Sequence, residues 1–329
     1  MRVLVVAPSW VGDAVLVQPL LARLKARDPA GAIDVLAPAW AFPVFRRMPE
    51  VAETLALPFG HGDLRLAERR AFGRALPRYD RAYVLPNSLK SALVPFHADI
   101  PERVGYRGEW RYGLLTDVRR LDEAAMPLLV ERFAALAQPK DEPLARPVAP
   151  PRLVADPASL AATVAKHGLA ADGPTLALCP GAEYGPAKRW PPRHYAEVAR
   201  VHAAKGWRVW LLGSDKDRPV ADEIAALSGV AVANLAGRTN LTEAIDLLSA
   251  ADRVVSNDSG LMHVAAAFDR PMAAVFGSSS PGYTPPLSPK ARIVTLALPC
   301  SPCFKRECPL GHRDCLEKLE PARVLAALD

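Results

Sequence analysis

The sequence contains no apolar run as long as the roughly 18 residues that a membrane-spanning helix requires. Its N-terminus also lacks the pattern of a signal peptide, because one arginine precedes only five apolar residues, VLVVA (3–7). Cysteine is scarce, with five in 329 residues, and four of these fall within residues 300–315. These features predict a soluble cytoplasmic protein without a framework of disulfide bonds.

Two nucleotide-binding fingerprints are absent as well. No GxGxxG follows a predicted strand, and the loop around Lys188 lacks the GxxxxGK[ST] spacing. The first absence counts against a dinucleotide oxidoreductase, and the second against a P-loop. The formal net charge of +6, with an isoelectric point near 9.1, is too weakly basic to indicate nucleic acid. It favours anionic partners instead.

Positive charge is concentrated in RLAERRAFGRALPRYDR (65–81), which holds six arginines and two acids. This stretch is either a solvated helix face or a surface that meets an acidic partner. The nearby basic residues that would extend such a surface are Lys90, Arg103, Arg107 and Arg111.

Short apolar runs alternate with helical patterns along the whole chain, which is typical of parallel strands buried on both faces. In the first half the predicted strands are 2–7, 32–38, 54–58 and 81–87, with a helix over 14–29. In the second half they are 175–181, 207–214, 232–237, 253–258 and 271–278, and the predicted helices are 193–206, 219–229, 241–251 and 260–268. This rhythm predicts two doubly wound α/β domains.

The stretch 138–157 contains six prolines and little periodicity, so it is the predicted linker. We therefore expect a first domain over 1–155 and a second over 156–318. Two such domains would face a central cleft, and ligands of these sheets bind outside the carboxyl ends of the strands. Candidate chemistry is therefore sought where each strand ends.

The first strand ends in PSWVGDAV (8–15), where a glycine precedes Asp13 at the start of a helix. A glycine allows the backbone to turn sharply or to approach a ligand. Asp13 is either the N-cap of that helix or a carboxylate that takes part in chemistry. The local pattern alone favours the cap.

The loop PGAEYGPAKRWP (180–191) follows a predicted strand and carries Glu183 and Lys188. A lysine beside a helix N-terminus can neutralise phosphate oxygens while backbone amides hold them. The alternative is an exposed loop lysine without a ligand.

The most informative stretch is SNDSGLMHVAAAF (256–268), in which a buried strand passes at once into a helix. The amides of Ser259, Gly260 and Leu261, at the positive end of the helix dipole, predict a pyrophosphate site. Asp258 is placed to accept hydrogen bonds from sugar hydroxyls. His263 is either part of this site or a core residue.

Weaker signals complete the list. Thr239 and Asn240 are either helix caps, with Glu243 placed for a capping box, or residues that flank a nucleotide base bound at this face. The tail CSPCFKRECPLGHRDC (300–315) has four cysteines and His312, which would bind a structural zinc or iron–sulfur group or simply bury their thiols.

Several segments together carry a resemblance that runs nearly end to end. They are PSWVGDAVLVQPL, APAW followed by RMPEV, YDRAYVLPNSLKSALVPF, GYRGEWRYGLL, PGAEYGPAKRWP, SNDSGLMHVAAA and the cysteine-rich tail. On these segments the chain resembles the ADP-heptose:lipopolysaccharide heptosyltransferases of glycosyltransferase family 9. The stretch YVLPNSLKSALVPF separates it from the heptosyltransferase I branch.

The resemblance implies a GT-B fold, with the acceptor on the first domain, ADP-heptose on the second, and a last helix (319–329) that crosses back to the first. It implies inverting, metal-independent transfer of heptose, without a cofactor, onto the first heptose of an anionic glycolipid of the heptosyl-Kdo-lipid A type. Such an acceptor would bring the enzyme into transient contact with the cytoplasmic face of the membrane.

By the same resemblance Asp13 is the base and Lys188 contacts the donor phosphates. Asp258, Ser259, Gly260, Leu261 and His263 surround the sugar and pyrophosphate. Relatives in the heptosyltransferase I branch often carry hydroxyl side chains on the loop before the lysine, where this chain has Glu183 and Tyr184. Glu183 is therefore not assigned to the phosphates but either to sugar hydroxyls or to the role of base. The alternatives to this function are a transferase for another nucleotide sugar and a non-catalytic nucleotide- or lipid-binding protein.

Overall fold

The computed structural model describes residues 1–60, 62–170 and 172–329. It divides into two units, Met1–Pro151 and Arg152–Asp329. The division falls inside the proline-rich stretch and four residues before the predicted boundary.

The first unit contains one sheet of six parallel strands in the order β3-β2-β1-β4-β5-β6. The strands are β1 (Arg2–Val6), β2 (Ala32–Ala37), β3 (Glu53–Ala56), β4 (Arg81–Val84), β5 (Glu102–Tyr106) and β6 (Asp117–Arg119). The helices are α1 (Val11–Leu16), α2 (Gln18–Arg27), α3 (Phe42–Phe45), α4 (Leu66–Ala75), α5 (Leu89–His97) and α6 (Leu129–Ala135). Side chains of β1 and β4 form the centre of its core, as expected for strands covered on both faces.

The second unit contains a second parallel sheet, in the order β12-β11-β10-β7-β8-β9. Its strands are β7 (Thr175–Cys179), β8 (Arg208–Leu211), β9 (Ala233–Asn234), β10 (Arg253–Asn257), β11 (Met272–Val275) and β12 (Ala291–Val294). The helices are α7 (Pro157–Lys166), α8 (Pro192–Ala204), α9 (Arg218–Ser228), α10 (Leu241–Ala250), α11 (Gly260–Ala267), α12 (Asp314–Glu317) and α13 (Pro321–Leu328).

The two sheets have the same topology, because the second order read from β9 to β12 repeats the first read from β3 to β6. In each sheet the order in which the chain adds strands reverses once, between β1 and β4 in the first unit and between β7 and β10 in the second. The strands themselves stay parallel. A doubly wound sheet opens a crevice at that switch point, outside the carboxyl ends of its strands, and ligands bind there. The predicted fold class of two doubly wound, Rossmann-like sheets is confirmed.

Three strands were not predicted from the sequence, and two helices were predicted as one. The strands β5, β6 and β12 lie toward or at a sheet edge, where only part of the strand is covered, so they lack a continuous apolar run. The predicted helix 14–29 is two helices, α1 and α2, which meet at Val17, and Pro19 occupies the second position of α2. Proline is tolerated there because the first helical amides have no intrahelical partner.

The last helix packs within the second unit. α13 contacts α8, β11 and β12, and Val324 and Leu328 are buried in that unit's core. Trp190 Nε1 also donates a hydrogen bond to Leu319 O at 2.8 Å, just before this helix. A return of this helix to the first domain stays a prediction.

Within the described residues, none of the helices combines the length and the apolar character that crossing a bilayer requires.

Candidate active site

Asn257, at the end of β10, ties together the two loops at the switch point of the second unit. Its Nδ2 donates to Pro180 O at 2.6 Å, and its Oδ1 accepts hydrogen bonds from Trp190 N at 3.1 Å and Tyr195 Oη at 3.0 Å. Asn257 is fully buried, and a buried amide is costly unless it is hydrogen-bonded. These bonds fix both ends of the loop after β7 against β10. No sequence pattern marked Asn257 as a functional residue, although it stands beside the predicted Asp258.

Lys188 and Asp258 form an ion pair at this crevice. Lys188 Nζ donates to Asp258 Oδ2 at 2.5 Å, and the side chains are only 19% and 7% exposed. The Nζ also lies 5.2 Å from the centre of the Tyr184 ring, within the range of a cation–π contact. From the sequence, Lys188 was predicted to contact the phosphates of a ligand and Asp258 its sugar hydroxyls. The structure joins them directly, with the cation held by the carboxylate.

The N-terminus of α11 follows Asp258 without an intervening loop. Ser259 is the N-cap, but its side chain does not cap the helix and its Oγ lies 3.2 Å from Ser256 Oγ instead. The first amides of a helix have no intrahelical acceptor, and they carry the positive end of the helix dipole. Ser259, Gly260 and Leu261 are all half-buried. Together with Lys188 they form a site suited to an anion such as a diphosphate.

His263 is the fourth residue of α11 and is buried. Burial is the main cause that lowers the pKa of its imidazole to about 4, because a charged ring would lose its hydration. The Lys188 charge lowers the pKa further, while the Asp258 carboxylate raises it. His263 is therefore neutral at neutral pH, as a core histidine would be.

This burial makes stability depend on pH. An unfolded histidine with a pKa near 6.5 takes up a proton as the pH falls, whereas the folded His263 does not until the pH approaches 4. The free energy of unfolding is therefore expected to fall by about 2 kcal/mol from this residue between pH 7 and pH 5. Urea unfolding at both pH values measures it. A His263→Gln variant should lose that part of the pH dependence, and equal slopes for the two proteins would contradict the assignment.

The tail segment 301–306 supports the loop that carries Lys188. Tyr184 Oη donates to Phe304 O at 2.8 Å, and Ala187 N donates to Arg306 O at 3.0 Å. A Cβ at Gly185 would lie 2.6 Å from Arg306 O, so this close approach requires glycine. Phe304 N in turn donates to the backbone oxygen after β11, Ser278 O, at 2.7 Å. No sequence pattern indicated this support, because every acceptor in it is a backbone oxygen.

Glu183 is the candidate that the structure does not bring to the Lys188–Asp258 pair. It forms an ion pair with Lys216, and both side chains are at least half exposed. Exposed pairs of this kind contribute at most about 1 kcal/mol. The pair links the Lys188 loop to the loop before α9. The role of Glu183 toward a sugar, or as a base, stays a prediction.

Asp13 lies at the switch point of the first unit, after the carboxyl end of β1. α1 begins at Val11 with Trp10 as its N-cap, and Ala14 N donates to Trp10 O at 2.8 Å. Asp13 is thus the third helical residue and is half-buried, one position after the buried Gly12. The interpretation of Asp13 as the N-cap is wrong, because the helix begins earlier than the pattern indicated. The carboxylate does stand in the first turn, where it is stabilised by the helix dipole.

Three of the basic residues assigned to an acidic partner have structural roles instead. Arg69 is buried and donates to Leu64 O and Asp63 O, and its guanidinium lies over the Phe59 ring. Arg103 donates to the backbone oxygens of Ile100 and Leu114, and the buried Arg111 to those of Pro86 and Tyr106. Guanidinium groups satisfy several carbonyls at once, so they hold loops together. Arg70, Arg74, Arg78 and Arg107 are exposed.

The predicted capping box of α10 is confirmed. Asn240 Oδ1 accepts from Glu243 N at 3.0 Å, and Glu243 Oε2 accepts from Asn240 N at 3.0 Å. Glu243 also accepts a hydrogen bond from Lys166 Nζ at 2.5 Å, so these residues link the start of α10 to the end of α7.

The tail cysteines are free thiols in the structure. Burial raises the pKa of Cys315, and the neighbouring thiols of Cys300, Cys308 and Cys303 raise it further. Across residues 1–60, 62–170 and 172–329 no three His, Cys, Asp or Glu side chains are placed to hold a metal ion. The tail supports the Lys188 loop through its backbone, and Cys315 packs against the core of the second unit.

Two doubly wound α/β units in one chain are the architecture of GT-B glycosyltransferases. The family model described as glycosyltransferase family 9 (heptosyltransferase) matches residues 69–313.

Curated relatives cover the whole chain. It is 49% identical to lipopolysaccharide heptosyltransferase 2 of Escherichia coli K12, covering 100% of this chain and 98% of that protein. Identity to the protein of the same name from Salmonella typhimurium LT2 is also 49%, over 100% and 97%. The solved E. coli ADP-heptose LPS heptosyltransferase II superposes with a TM-score of 0.89 at 46% identity, covering 100% and 97% of the two chains. The chain therefore belongs to glycosyltransferase family 9.

Proposed function

We propose that this enzyme transfers L-glycero-D-manno-heptose from ADP-heptose to the first heptose of the lipopolysaccharide inner core, with inversion at the anomeric carbon. The observation that carries the proposal is the Lys188–Asp258 pair at the N-terminus of α11, in a chain that belongs to family 9. Its relatives of nearly equal length are named lipopolysaccharide heptosyltransferase 2.

The donor contacts follow from the number of hydrogen-bond donors. An ammonium has three N–H groups, and Lys188 uses one of them on Asp258, which leaves two for phosphate oxygens. The helix amides at Ser259, Gly260 and Leu261 supply further donors. Asp258 then fixes the direction of the lysine and can accept from a sugar hydroxyl with its second oxygen. Donors fixed before reaction stabilise the charge that develops on the leaving ADP.

The reaction needs one base. The oxygen of the acceptor hydroxyl forms a bond to the anomeric carbon, and the bond from that carbon to the phosphate oxygen breaks, with its electron pair leaving on ADP. The hydroxyl proton passes to the Asp13 carboxylate. Because ADP leaves as a stabilised anion, its departure requires no proton.

The acceptor is an anionic glycolipid of the heptosyl-Kdo-lipid A type. We assign its acidic groups, and transient contact with the cytoplasmic face of the membrane, to the exposed arginines of α4 and the loop after it, Arg70, Arg74 and Arg78. Charge reversal at these three positions is the corresponding test, with binding to acceptor-bearing vesicles as the readout.

Mass spectrometry of a defined core acceptor incubated with purified protein and ADP-heptose tests the proposal. One added heptose is the expected product, and no addition would overturn it. Parallel reactions with UDP- and GDP-sugars test the alternative of a different donor. If all donors fail while ADP still binds, the protein is a nucleotide-binding protein rather than this transferase.

A further inference from the structure

The strongly exposed tryptophans all lie in loops that follow the carboxyl ends of strands in the first sheet. The chain has six tryptophans, and the three in the second unit are buried or partly buried. Trp10, Trp40 and Trp110 are each more than half exposed. They follow β1, β2 and β5 respectively, so all three stand beyond the carboxyl ends of the first sheet. Clustered exposed aromatic surface on a folded protein usually marks a binding site.

Trp10 and Trp40 are held next to each other. Trp40 Nε1 donates a hydrogen bond to Ser9 O at 3.1 Å, which ties the loop after β2 to the residue preceding Trp10. The strands β1 and β2 are neighbours in the sheet, so the two loops are about one strand spacing apart. The indoles are 51% and 58% exposed, although their attachment points are fixed.

Trp10 is also only three residues from the candidate base. Trp10 is the N-cap of α1, and Asp13 is in the first turn of that helix. Positions three apart at a helix start are neighbours, so a molecule resting on the Trp10 indole would be near the Asp13 carboxylate.

We propose that Trp10 and Trp40 form a stacking platform for a sugar ring of the acceptor, which presents the attacking hydroxyl to Asp13. This inference rests on the proposed transferase function. A pyranose ring has an apolar face of C–H groups and a rim of hydroxyls. Stacking that face on an indole removes apolar surface from water and leaves the rim free for polar contacts. The two tryptophans are positioning residues in this scheme.

The observations favour a sugar over a bilayer as the occupant. Tryptophans of a membrane interface place the ring in the apolar region and direct the polar N–H toward water. The Trp40 N–H donates to the protein backbone instead. This bond fixes the ring and leaves its apolar surface available to contact a ligand. The platform also lies beyond the carboxyl ends of the strands and includes the loop after β1, one of the two strands at the switch point, where ligands of such sheets bind.

Trp10→Ala and Trp40→Ala, assayed with a deacylated, water-soluble acceptor, test the platform. Each is expected to raise KM for that acceptor about tenfold, the equivalent of about 1.4 kcal/mol. The KM for ADP-heptose should stay within about twofold. Trp40→Phe keeps a flat ring and should recover most of the loss, which a merely structural role of the indole N–H would not allow. Urea midpoints of all variants are compared with that of the wild type.

Leu227→Ala is the matched control, since Leu227 is an apolar residue that is 50% exposed and lies near the end of α9, in the second unit. It should leave both KM values unchanged. An unchanged acceptor KM in both tryptophan variants would overturn the inference. If those variants instead lose binding to anionic vesicles without acceptor, the indoles contact lipid, which also overturns it.

Tryptophan fluorescence separates this inference from the proposed function. Titration of the wild type with the deacylated acceptor should quench emission, and the quenching should decrease in Trp40→Ala. This binding signal requires no turnover. A wild type that binds the acceptor in this way but transfers no heptose would refute the function and leave the platform standing. Unchanged emission would refute the platform.

Discussion

Replacing Asp13 with asparagine is expected to lower kcat about 10³-fold while the affinity for ADP stays within twofold of the wild type. The amide has the shape of the carboxylate but cannot take the acceptor proton, and general-base catalysis commonly contributes 10²–10⁴-fold. Removing one negative charge from the first turn of α1 costs at most about 1 kcal/mol, so the variant should fold. Single-turnover transfer by mass spectrometry and ADP binding by calorimetry measure the two effects.

Glu68→Gln provides the control for this change. Glu68 is also an acid in the first turn of a helix of the first unit, α4, but it lies in an exposed part of the chain outside the switch point. The same neutralisation there should leave kcat unchanged. Retention of full activity by Asp13→Asn would show that another group takes the proton, and Glu183→Gln would then be the next variant to assay.

Replacing Lys188 with alanine is expected to lower kcat/KM for ADP-heptose by 10²–10³-fold and to weaken ADP binding. The ammonium is the one side-chain cation that the structure places against Asp258 at the N-terminus of α11, among the described residues. Loss of one fixed donor to a developing anion typically has an effect of this size. The change also leaves the Asp258 carboxylate buried without its cation, which should lower the free energy of unfolding by about 3 kcal/mol.

Two further variants separate the effect on donor binding from the effect on stability. Adding Asp258→Asn to Lys188→Ala removes the unpaired charge, so stability should recover while donor affinity does not. Lys216→Ala removes a lysine whose partner Glu183 is exposed, and this should change stability by less than about 1 kcal/mol and leave kcat/KM nearly unchanged. Full donor affinity in the double variant would contradict a phosphate role for Lys188.

The sequence identified the central strands and the loops that follow them. β1, β7 and β10 are buried along nearly their whole length, so each reads as a continuous apolar run. Asp13, Lys188 and Asp258 were found because they follow such runs, and a position after a strand is a local property of the chain. The edge strands β6 and β12 were missed because partial burial imposes no such run.

Local pattern misjudged the roles of single side chains. Asp13 resembled a cap, yet α1 begins before it, at Val11. Arg69 and Arg111 resembled surface charges, yet both are buried on backbone oxygens. Composition records that an arginine is present, but only packing determines whether its donors meet water, a ligand or a carbonyl group.

The sequence by itself determined two parallel α/β sheets, the loops at their carboxyl ends and the family to which the motifs point, because these depend on residue order over short stretches. The tertiary structure alone decided which of those loops meet. It joined Lys188 to Asp258 across 70 residues, bound the loop after β7 to Asn257, and set Trp40 beside Ser9. Those contacts follow from the order of strands in each sheet, in which β1 adjoins β2 and β7 adjoins β10. That order is fixed by the simultaneous burial of many side chains, which no short stretch of sequence records.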